Sequence, residues 1–158
     1  MKKVIIMFVY IKNVPYICKM KSNKIYLLKF SKKPSDIEDE DFSHPLYEDL
    51  SLSLDKKDHK YIGFAENEDM FIRLLDYKVD KVCRILRKHG FSFNIEDVTE
   101  SVIRGKVQKE YPEVHKLTPY LFEDFRMENT SLDDILDKIN ETGMDSLDKI
   151  DKSILKNK

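Results

Sequence analysis

The chain is 158 residues long with a net charge of −1, 41% hydrophobic and 36% charged residues, and nine Phe and eight Tyr. That length holds one core but not two full domains, and that composition excludes a disordered chain. The balanced total charge excludes any inference about nucleic acid or membranes except from local clustering.

In chain order, Val4 to Ile11, Tyr16 to Met20 and Lys24 to Phe30 are short runs rich in Val, Ile, Tyr and Phe. Turn-like Lys12 to Pro15 and Lys21 to Asn23 separate them, and the spacing predicts an antiparallel meander. The first run follows Lys2 and Lys3 as a short signal peptide would. Lys12 ends it and no small-x-small site follows, so a strand is the expectation. Ser31 to Asp58 carries Pro34, Pro45 and the run Glu38-Asp39-Glu40-Asp41, and reads as an acidic loop with a helical turn at Leu46 to Leu50.

Tyr61 to Ala65 is the next strand. Phe71, Leu75, Val79, Val82 and Leu86 recur at helical spacing up to Gly90, predicting a long amphipathic helix from about Asn67 to His89. Phe91, Phe93 and Ile95 then alternate with polar residues as an additional strand. Asp97 and Glu100 predict a cap for a helix running to Tyr111 before Pro112. Glu113 to Arg126 is helical with a break at Thr118, before Pro119. Ser131 caps a helix carrying Leu132, Ile135, Leu136 and Ile139; Gly143 ends it, and a second helix carries Leu147, Ile150, Ile154 and Leu155. The whole is an α+β fold: a body over residues 1–127 containing acidic loop 31–58, and a C-terminal helical hairpin appended over 128–158.

The spacings required by common chemistries are missing. His44, His59, His89 and His115 lack i, i+4 partners and Cys neighbours, so neither a metal nor a cofactor is expected. Cys18 and Cys83 are far apart and unpaired with a base, which fits a reducing, cytoplasmic compartment better than a catalyst. Asp58-His59-Lys60 is the one weak nuclease-like lead, and no acid on an earlier strand accompanies it. Four glycines, none clustered, exclude a phosphate-cradling loop.

Charge is nonetheless segregated. Residues 1–33 hold nine lysines and no acid, and the predicted long helix carries Arg73, Lys78, Lys81, Arg84, Arg87 and Lys88. Lys19, Lys21 and Lys24 on the sheet with Lys81, Arg84 and Lys88 on the helix form a candidate phosphate-binding surface. The competing reading is ordinary: lysines protect sheet edges and line the wet face of helices.

The tail run Leu132-Asp-Asp-Ile-Leu-Asp-Lys-Ile-Asn-Glu-Thr-Gly143-Met-Asp-Ser-Leu147, followed by Ile150 and Leu155, resembles the short C-terminal element appended to rhomboid-family membrane proteins of the Bacteroidota. The shared pattern is Ile-Leu-Asp-Lys-Ile, a Gly, Ser-Leu and a second charged helix. The resemblance covers the tail alone and implies a bacterial or bacteriophage lineage. No membrane span and no protease-like Ser/His arrangement accompanies it, so no activity follows from it. The sequence therefore leads to a non-catalytic adaptor that docks a protein partner through Leu132, Ile135, Leu136, Ile139 and Leu147. Nucleic-acid binding is the alternative, and an enzyme stands third.

Overall fold

The computed structural model describes residues 24–35, 44–117 and 119–157, excepting the side chains of 115–120. The strands predicted at Val4 to Ile11 and Tyr16 to Met20, the acidic run before Asp41, Cys18, Lys19 and Lys21 lie outside these residues.

The fold is α+β; among the described residues four strands form an antiparallel sheet in the order β2-β3-β1-β4. Strand β1 (Tyr26–Lys32) is central: Leu28 pairs with Met70 of β3 (Met70–Ile72) on one side and with Ile95 of β4 (Ser92–Asp97) on the other. Its two neighbours therefore come from later in the chain. Strand β2 (Ile62–Phe64) forms the opposite edge and makes a hairpin with β3.

Helices cover both faces of the sheet, which is why Tyr26 to Phe30 shows no clean alternation. One face packs Leu28, Ile62, Met70 and Ile72 beneath α1 (Pro45–Ser53) and α2 (Asp76–Lys88). The other packs Leu27 and Phe71 against α3 (Thr99–Ile103), α4 (Lys106–Glu110), α5 (Pro112–Leu117) and α6 (Pro119–Asn129). Each large apolar side chain removed from water contributes ~1.5–3 kcal/mol, so the two layers outweigh local propensity where they conflict.

Residues 67–75 show such a conflict. The predicted helix begins only at Asp76; Asn67 lies in the β2–β3 loop, and Phe71 is on a strand. Met70, Phe71 and Ile72 are all buried between β2 and β1, and a short apolar run buried on both faces carries no period that tells strand from helix. The loop is fixed locally, since the Asp69 N–H donates to Asn67 Oδ1 and Glu68 takes a left-handed φ of 67°.

The acidic loop also contains more structure than one turn. Pro45–Ser53 is a helix whose first turn is capped by His44, with Nδ1 accepting from the Leu46 N–H. The helix expected over 97–111 is two short ones, divided at Gly105, whose φ of 73° no neighbouring helical residue could share. Asp97 accepts from the Thr99 N–H, while Glu100 pairs with Arg104 instead of closing a capping box. The break expected at Thr118 falls outside the described residues, which are helical on either side, over Pro112–Leu117 and Pro119–Asn129.

Candidate interaction surfaces

The tail folds as a hairpin of α7 (Leu132–Thr142) and α8 (Lys149–Asn157). A reciprocal cap starts α7: the Asp134 N–H donates to Ser131 Oγ, and the Ser131 N–H donates to Asp134 Oδ2. Gly143 ends it with φ 84° and ψ 165°, an extended left-handed conformation open in practice to glycine alone.

The five predicted docking residues divide. Ile135 and Leu147 are buried with Ile154, and Ile139 packs against them, so these three form the hairpin's own core. Leu132 and Leu136 remain 42% and 46% exposed. At 100° per residue the four apolar positions of α7 spread over about 100° of its circumference. α8 covers the half that holds Ile135 and Ile139. The uncovered half is bordered by exposed Asp133 and Asp137.

Buried charge fixes the hairpin to the body. Arg126 of α6, 1% exposed, donates from Nη1 to Asp148 Oδ2 at 2.7 Å and from Nη2 to Asp151 Oδ1 at 2.5 Å. Asp151 is equally buried and also accepts from Lys138 Nζ at 2.6 Å. Burial alone would raise the Asp148 pKa, but the Arg126 hydrogen bond and the Asp151 N–H hold the carboxyl below its ordinary range. Gly105 closes the seam, for a Cβ there would lie 3.2 Å from Asp148 Oδ2. Arg126 was the side chain hardest to place from sequence. The signal was its position four residues after Phe122, on the apolar stripe of α6.

The predicted basic surface is thinner than its composition. Lys81, Arg84 and Lys88 are exposed along one face of α2, and Lys24 is exposed before β1. Arg73 and Lys78, however, are interior. Arg73 is fully buried, donates to Glu128 Oε2 at 2.6 Å and stacks 4.8 Å from the Phe125 ring. Lys78 bonds Asp58 at 2.6 Å and Asp55 at 3.2 Å. Burial lowers the Lys78 pKa, and these two carboxylates more than reverse that. Acid from the 31–58 segment also reaches the helix end, where Asp49 takes Lys88 Nζ and His89 Nε2, each at 2.8 Å.

Asp58 is thereby removed from the nuclease-like lead, since its Oδ2 is held by Lys78 and by the Asp55 N–H. Cys83 is buried and its thiol pKa is pushed up by that burial. Among the described residues, no group of three or more His, Cys, Asp or Glu is placed to hold a metal ion. No helix among them is long and apolar enough to cross a membrane. No family model matches the chain, and no curated protein or solved structure was found similar to it.

Proposed function

We propose that the chain is a non-catalytic protein-binding adaptor of the bacterial or bacteriophage cytoplasm, docking its partner on the outer face of α7. The observation that carries this reading is the exposed pair Leu132 and Leu136, one turn apart on a helix whose other apolar side is satisfied. Four of the seven large hydrophobic side chains exposed among the described residues lie at Met127, Leu132, Leu136 and Met144. Of these, Leu132 and Leu136 are neighbours four residues apart on one helix, and adjacent exposed apolar side chains mark interaction surfaces where scattered single residues do not. With Asp133 and Asp137 beside the leucines, the complementary partner is a basic amphipathic segment. The free thiol of Cys83 agrees with a reducing compartment.

The test uses the intact chain, because removing the tail would strand buried Arg126 without its carboxylates. Tagged wild type and a Leu132→Ser/Leu136→Ser variant are compared by capture from the native cell, with and without nuclease. The expected result is a nuclease-resistant partner lost from the variant and retained by Lys81→Glu/Arg84→Glu. Equal capture by both variants sinks the reading.

The exposed row Lys81, Arg84 and Lys88 supports nucleic-acid binding as a second reading. It predicts nuclease-sensitive capture, and affinity that falls steeply with salt and with the Lys81→Glu/Arg84→Glu change. The row is short, and Asp49 already occupies its Lys88 end. Protein docking is therefore placed first.

A further inference from the structure

Two exposed helical ridges of the molecule carry opposite charge. At 100° per residue Tyr77, Lys81, Arg84 and Lys88 of α2 fall within about 60° of its circumference, opposite the buried Val79, Val82 and Leu86. All four are exposed, Tyr77 at 57%. Asp76 and Asp80 lie to one side of this ridge and Asp49 holds its Lys88 end, so Lys81 and Arg84 carry its charge. On α7, Asp133 and Asp137 stand exposed beside Leu132 and Leu136.

The two ridges cannot meet within one chain. α2 covers the sheet face that holds Leu28 and Ile72. The hairpin is seated through Arg126 on α6, which packs on the opposite face with Leu27 and Phe71.

A second copy of this chain is the occupant whose charge fits α7. Two α7 ridges laid together would set Asp133 and Asp137 against their own copies, and two α2 ridges would set Lys81 and Arg84 against theirs; both pairings repel. α2 of one copy on α7 of the next opposes cation to carboxylate. The spacing agrees, because Lys81 and Arg84 lie about 4.5 Å apart along their axis and Asp133 and Asp137 about 6 Å. The methylene stems of Lys81 and Arg84 can lie over Leu132 and Leu136 while their charged heads reach the acids on the flank. The Tyr77 ring, one turn before Lys81, extends that apolar cover.

We propose that the chain self-associates head to tail, with Tyr77, Lys81 and Arg84 of α2 in one copy seated on the Leu132, Leu136, Asp133 and Asp137 face of α7 in the next. The assignment rests on the α7 docking face proposed above and names an occupant for it. Each contact uses different surfaces on its two copies, so association continues past the dimer.

The experiment is sedimentation velocity of the full chain at low salt over a concentration series, with circular dichroism verifying that every variant is folded. The average sedimentation coefficient of wild type should rise with concentration. Lys81→Glu/Arg84→Glu alone and Asp133→Lys/Asp137→Lys alone each set like charges across the contact, and each should weaken association about tenfold or more. All four changes in one chain reverse both sides, leave the net charge at −1 and should restore association. Leu132→Ser/Leu136→Ser should weaken it. If Asp133→Lys unwinds the start of α7, Lys81→Glu and Asp137→Lys, alone and combined, repeat the test with one pair. Association that survives the leucine change or either charge pair, or a reversed chain that stays dissociated, would overturn the proposal. A monomeric wild type would overturn the self-contact alone, since the α7 reading fails separately, through capture that does not depend on the leucines.

Discussion

Arg126 and Asp151, each 1% exposed, meet at 2.5 Å in the seam between α6 and α8. Taking either away leaves buried charge without its partner, which costs about 3–5 kcal/mol. Arg126→Met should destabilise the chain by that order in urea unfolding, with Asp151→Asn costing less because Asn still accepts from Arg126. The double variant Arg126→Met/Asp151→Leu should cost clearly less than the sum of its single changes. An additive double variant would show that the pair does not interact.

Acid acts on the same seam through Asp148. Its pKa when folded lies below the ordinary 3.8, so its stabilisation is present above that value and is lost as pH falls through the folded one. Hydrogen exchange at Ile154 should therefore accelerate below about pH 4 before the sheet opens. Asp148→Asn should abolish that acid step; an unchanged profile would place the sensitivity elsewhere.

Arg73 offers a second buried cation with different demands. Its guanidinium stacks on Phe125 at 4.8 Å and faces Tyr61 at 5.8 Å while bonding Glu128. A lysine keeps the charge but loses the flat face, so Arg73→Lys should cost about 2–3 kcal/mol. Glu128→Gln should cost less, since Glu128 is 41% exposed and the amide oxygen still accepts. Equal losses in chemical denaturation would contradict the stacking argument.

Cys83 is 5% exposed with a raised thiol pKa. In a Cys18→Ser background its labelling by a disulfide reagent should run about 100-fold slower than for a free peptide thiol. It should speed up in step with urea unfolding. Rapid labelling of the native chain would mean that α2 opens locally.

Sequence reading succeeded where one pattern had one cause. Phe93 and Ile95 alternate with polar residues because β4 turns that row toward the α2 face, where Phe93 is half-buried, and Ser131 with Asp134 marks a helix start that nothing tertiary disputes. Met70 to Ile72 was illegible because burial on both faces erases the period, so the helical spacing of Phe71 with Leu75 and Val79 was coincidence. Arg73 and Lys78 were counted as surface on residue type alone. Lys78 stands four residues before Val82 on the buried stripe of α2, the one local sign that it had turned inward. The docking stripe of α7 was read at its full width, whereas a single neighbouring helix covers half of it.

The central place of β1 constrains how the molecule is made. Tyr26 must wait for Ile72 on one side and for Asp97 on the other. On a ribosome, β1 emerges long before either partner exists, and the sheet cannot close until residues beyond Asp97 have left the exit tunnel. Until then Leu27 and Leu28, both destined for burial, stand open to water and to other nascent chains. Their long sequence separation also makes closure slow relative to the helices that later cover it. The α7–α8 hairpin, made last and from local contacts, can fold promptly, yet Arg126 gives it a seat only on a body already formed.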